Sequence, residues 1–156
     1  MHHKKGTAGE RGMYLRLTAM IALSYVWMYA AMFAMVASPG DVFHNVNFVY
    51  MAALMAGAMI PIEILVMRAM YPDARLNVAS IALATLILAG SFLAIRAQTG
   101  VGDDQFLDSM IPHHSAAILM CRQATITDPE IVDLCAEIVR SQQAEIGQMK
   151  GIRTRR

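Results

Sequence analysis

Charge is scarce in this chain. Asp, Glu, Lys and Arg make up 16% of its 156 residues, while apolar residues make up 56%. That balance is far from the soluble norm and points to a membrane protein. A net charge of +1 leaves no basic surplus for nucleic acid. No Gly-rich phosphate loop, Walker pattern or dinucleotide fingerprint occurs. Zinc or iron–sulfur sites would want more cysteine or carboxylate than accompanies the two cysteines here. A di-iron oxidase needs Glu-x-x-His pairs, but the residues three before His113 and His114 are Met110 and Ile111. A Cys121–His114 nucleophile would lack a third orienting residue and an oxyanion site, so no enzyme is expected. Methionine is what the chain has in excess, with 14 copies.

Charge is also unevenly placed. Residues 1–96 hold seven Lys/Arg and four Asp/Glu, against six and eight in residues 97–156. Three apolar runs fill the first part: residues 17–37 and 78–95 without a charge, and 48–67 with Glu63 alone. Each is long enough to cross a bilayer core of about 30 Å at about 1.5 Å per residue. The first run is longer than a signal-peptide core, and no clear cleavage site follows, so it is expected to be retained. The sequence therefore predicts a membrane domain over 1–96 and a helical tail over 97–156.

Lys4, Lys5, Arg11 and Arg16 precede the first span, and Arg68 and Arg75 lie between the second and third. The connection 38–47 has no basic residue. By the positive-inside rule the N-terminus is cytoplasmic and the tail extracytoplasmic, as in a bacterial inner membrane; Arg96 is a mild exception. Tyr14, Trp27, Tyr29 and Tyr50 are candidate interface anchors, although Trp27 lies too near mid-span to fit well.

The tail reads as two helices, about 104–124 and 129–150. "TITDPE" separates them: Thr127 or Asp128 as N-cap, Pro129 at the first position and Glu130 in the first turn. Gly151 should stop the second helix and leave "RTRR" frayed. In "DSMIPHHSAAILMC", Pro112 is expected to kink the first helix from within. Met110, His113, His114, Met120 and Cys121 then fall within an arc of about 120°. On the second helix Gln142, Glu145 and Met149 lie on the apolar stripe of Ile131, Leu134, Cys135, Ile138 and Ile146. In an antiparallel hairpin His113 would lie level with residues 139–142, and Met110 with 142–145. Imidazole with thioether or thiolate suits Cu(I) best. The bland alternative is a hydrogen-bonded core histidine with gap-filling methionines. Cys121 and Cys135 are readable as a hairpin-stapling disulfide, as two soft ligands or as small buried residues.

"FLDSMIPHHSAAILM" and then "DPEIVDLCAEIVRSQQAEIGQM" resemble a ferritin-like bacterial family of unknown function marked by a MIPHH motif, some periplasmic members of which bind copper and are linked to copper resistance. The resemblance covers about residues 103–150. It implies copper at Met110, His113, His114, Met120, Gln142, Glu145 and Met149. Many relatives have alanine at positions 121 and 135, a paired departure that fits a disulfide. It also implies a four-helix bundle, of which this tail supplies only two helices. About 50 residues rarely bury an adequate core alone, so a homodimer, or docking on a larger membrane complex, is expected to complete it.

Two methionine stripes lie in the spans: Met28, Met32, Met35 and Met51, Met55, Met59. They read as a candidate copper relay with His44 outside, or as packing beside small residues, as in "MAALMAGAM". Glu63 is either functional, because a carboxylate in a span is costly without a partner, or sits at the inner interface with Arg68. The expectation is an all-α, membrane-anchored, soft-metal-binding protein for envelope metal handling. The alternative is a non-catalytic accessory subunit whose tail is an interaction module.

Overall fold

The computed structural model describes residues 4–156, with side chains from Gly12 onward. The side chains of Lys4, Lys5 and Arg11, used above for orientation, lie outside the described residues. Among the described residues the protein is all-helical: α1 Lys4–Ala31, α2 Val46–Val66, α3 Ala74–Ala97, α4 Asp103–Gln123 and α5 Pro129–Thr154. Short 3-10 turns at Met32–Met35 and Pro39–Asp41 join α1 to α2.

Among the described residues three segments are long and apolar enough to cross a membrane: Gly12–Met35, Val46–Val66 and Ala74–Ala97. They carry large apolar side chains outward, such as Leu23, Trp27, Leu86 and Leu93, as a hydrocarbon surround demands. Local chemistry sets their ends. Asn45 Oδ1 accepts from Phe48 N at the start of α2. Asp73 Oδ1 accepts from Arg75 N and Leu76 N at the start of α3. Gln98 closes α3 in the left-handed region, φ 50°.

The chain divides into two compact units. The first comprises α1, Val49–Thr99 and thus most of α2 and all of α3. Leu17, Ile60, Ile64, Tyr71 and Ala84 form its core. Small residues of α2 (Ala52, Ala56 and Gly57) are buried, which brings α3 close. A Cβ on Gly57 would stand 3.2 Å from Ile87 Cγ2.

The second unit is Met32–Phe48 with Gly100–Arg156. Here α4 and α5 form an antiparallel hairpin, and the segment between α1 and α2 packs on it. Leu107, Ile111, Ile118, Ile146 and Met149 make the core, with Ala37 and Phe43 of that segment against them. The tail expected over 97–156 is therefore not a bare two-helix hairpin. Asp128 caps α5 through Glu130 N at 2.9 Å, with Pro129 in the first turn, as the sequence predicts. Pro112 lies inside a continuous α4.

The far end of α5 corrects the sequence reading. The helix runs through Gly151 to Thr154, and its basic end is tied down. Arg153 Nε donates to the buried Asp108 at 2.5 Å, and Arg156 Nη1 lies 2.7 Å from Asp103 Oδ2. Arg153 also covers the Phe43 ring at 4.7 Å. Opposite charges at the start of α4 hold a turn that glycine alone would release.

Candidate functional site

The buried face of α4 is not the face its donor atoms define. Leu107, Asp108, Ile111, Pro112, His114, Ser115 and Ile118 are buried. At about 100° per residue, their arc is centred more than about 100° away from that of Met110, His113, Met120 and Cys121. Of the two histidines, only His114 turns inward, with 9% exposure. His113 is exposed, its ring centroid 6.1 Å from that of His114. Met120 is 57% exposed. The reason is that α4 is covered from two sides, by α5 and by Met32–Phe48.

His114 Nδ1 lies 3.0 Å from Glu145 Oε2. The separation is that of an ion pair, but the angle of approach is not that of a hydrogen bond, and Nδ1 has no hydrogen-bond partner. Gln142 Oε1, one turn before Glu145 on α5, is likewise buried without one. Met149 is buried in the hairpin core, and Met110 packs against it. His114, Gln142 and Glu145 are thus gathered at the α4–α5 interface, with two thioethers in the adjoining core. The register is about one turn beyond the sequence expectation: His113 level with residues 139–142 would put His114 opposite 138–141, whereas His114 meets Glu145. Among the described residues no three His, Cys, Asp or Glu side chains converge. A metal here would take one imidazole and one carboxylate, and would draw further donors from Gln142 or the thioethers.

Cys121 and Cys135 are joined in a disulfide near the hairpin turn, so neither is a free thiolate. His44 is exposed, its ring 5.7 Å from Phe33. The first methionine stripe is broken, because α1 ends at Ala31 and Met32–Met35 winds as a 3-10 turn. Met51 and Met55 face outward on α2, with Met59 partly buried. Glu63 accepts from Tyr71 Oη at 3.4 Å and makes no ion pair with Arg68 among the described residues.

Sequence reasoning missed a buried polar network in the second unit. Ser115, fully buried on α4, donates to Asp41 Oδ2 at 2.7 Å and accepts from Ala37 N at 2.9 Å. Lys150 Nζ donates to Asp41 Oδ1 at 2.5 Å. A signal was present: Leu107, Asp108, Ile111, Ser115 and Ile118 recur at helical spacing. Asp41, in "SPGD", reads only as a turn residue.

The model of a family described as a domain of unknown function, DUF305, matches residues 90–153. No solved structure matches the chain. An uncharacterized protein of Acanthamoeba polyphaga mimivirus is 34% identical over 136 residues, which cover 85% of this chain and 88% of the viral one. That similarity reaches well beyond the hairpin into the apolar helices, and the chain belongs to one family with this viral protein, its residues 90–153 matching the DUF305 domain.

Proposed function

We propose that the protein is a membrane-anchored metal-binding protein, with its metal held by His114, Glu145 and Gln142 between α4 and α5. One observation carries this reading: His114 Nδ1 and Gln142 Oε1 are buried without hydrogen-bond partners beside a carboxylate. Such orphaned atoms are rare in native interiors and call for an unseen ion or water. Copper is the metal proposed. It takes imidazole in both common oxidation states, and in the reduced state it also takes thioethers such as Met110 and Met149. The MIPHH resemblance points the same way.

The hairpin is placed outside the bacterial inner membrane, with the N-terminus in the cytoplasm, and the protein serves envelope metal handling. Basic-residue placement supports this orientation, and a disulfide in the hairpin suits an oxidising compartment. A second copy completes a ferritin-like four-helix bundle, covering the apolar residues Ile131, Val132 and Leu134 that α5 leaves exposed. No catalysis is assigned.

The same exposed row favours the second reading, an accessory subunit whose hairpin binds another membrane protein. Metal analysis of the detergent-purified protein separates the two. The metal site predicts one copper per chain, lost in His114→Ala and kept in His113→Ala, whose ring is exposed. No copper after loading, together with a stable co-purifying protein, would favour the accessory reading.

A further inference from the structure

A second feature lies in the membrane unit and shares no residue with the hairpin site. Glu63 is the one carboxylate within the three candidate spans. It opens onto a cavity of about 220 Å³ lined by Met13, Arg16, Leu17, Met20, Met70 and Tyr71. Met13 and Met20 are seven residues apart on α1, two turns along one face. Met70 arrives from the connection after α2. The methionines at the carboxylate are therefore not those of the two stripes that the sequence displays.

Glu63 is weakly tied in the described structure. Its hydrogen bond from Tyr71 is long, 3.4 Å. Arg16 lines the same cavity but forms no ion pair with it. A carboxylate in a span without a close partner is expensive and marks an ion or substrate position. The volume falls below that of pockets for drug-sized organic ligands. It has room for an ion together with several waters. Three thioethers are soft, neutral donors that hold Mg²⁺ or Ca²⁺ poorly and monovalent d10 cations well. Glu63 is the one negative charge of the lining, and the Arg16 guanidinium, exposed and not paired with it, leaves the carboxylate open to a cation.

We propose that Met13, Met20, Met70 and Glu63 form a binding site for a soft monovalent cation of the Cu(I)/Ag(I) class. The thioethers select the ion. Glu63 balances its charge, and Tyr71 orients the carboxylate. Met→Leu changes test the site with little loss of packing, because the two side chains are close in volume.

The test uses the full chain in detergent, silver(I) as probe, and a His114→Ala background that removes the hairpin site whatever its status. The expected result is one silver per chain by elemental analysis. In the same background Met13→Leu/Met20→Leu/Met70→Leu should lose it, and Glu63→Gln should bind at least tenfold more weakly. As a readout in the unaltered site, NMR of methyl-labelled methionine should show three of the 14 ε-methyl signals shifting with silver. Single Met→Leu variants would assign these signals to positions 13, 20 and 70. Silver bound equally by the triple variant, no silver bound in the His114→Ala protein, or shifts confined to other methionines would each overturn the site.

Discussion

At the scale of single residues, the second unit depends on small polar groups that hydropathy does not register. Ser115 has no exposed surface, yet its hydroxyl links Ala37 N to Asp41 Oδ2. Ser115→Ala removes one atom and takes a partner from the buried Asp41 and from the part-buried Ala37 N, at a cost of about 1–3 kcal/mol. A lower thermal midpoint of the detergent-solubilised protein, with unchanged helix content by circular dichroism, is the expected outcome. Tyr71 makes a different prediction. Burial raises its phenol pKa, as do the charge of Glu63, the hydrogen bond to Glu63 and neighbouring Tyr14. A phenol raised above its ordinary value of about 10 favours the folded state below that value. Its contribution is lost as pH rises through the higher, folded value. In an alkaline absorbance titration Tyr71 should ionise after the ordinary phenols. Tyr71→Phe should abolish that late step and flatten the corresponding loss of stability.

At the scale of elements, what was legible followed from composition and caps. Long apolar runs with at most one charge mark the three candidate spans, because a bilayer-crossing helix needs little beyond length and apolarity. Asp128 and Pro129 marked the start of α5, because cap chemistry is local. The face of α4 was harder to read. Methionine and histidine are the conspicuous metal donors of this helix, whereas Leu107, Ile111 and Ile118 determine which side is buried. The end of α5 was illegible for a related reason: Arg153 and Arg156 find Asp108 and Asp103 across the hairpin, a pairing that only the register reveals. The disulfide operates at this scale too. Cys121 and Cys135 are 14 residues apart in sequence. In the chain-entropy view a loop of that size contributes about 3 kcal/mol. The native protein should show no titratable thiol, and two after reduction. Reduction should also speed hydrogen exchange across the turn, with little change at the α4 start, where Asp108 and Asp103 still hold the end of α5.

At the scale of the whole molecule, the division of the chain matters more than the count of helices. A membrane domain followed by a tail is the natural reading of the charge distribution, yet Met32–Phe48 folds with the hairpin. Were all three helices to cross a membrane, the connection between the first and second would lie on the same side as everything after the third. The sequence thus allowed this union, but nothing in "SPGDVFHNVN" demands it. The hairpin alone should therefore be incomplete. Gly100–Arg156 produced by itself would lose Ala37 and Phe43 from its core. It would also leave Ser115 and Lys150 without Asp41. A buried network with one member missing is worse than an apolar core, because the remaining groups retain their desolvation cost. The isolated hairpin should still be helical by circular dichroism, because its caps, disulfide and acidic–basic end pairs are all internal. It should nonetheless melt broadly. Fusing residues 32–48 back through a flexible linker should restore a sharp transition, and Asp41→Ala in that fusion should remove it again. If self-association makes up the missing core, the melting midpoint will rise with concentration, and sedimentation will show a dimer. A monomer melting sharply without residues 32–48 would refute the dependence on that segment.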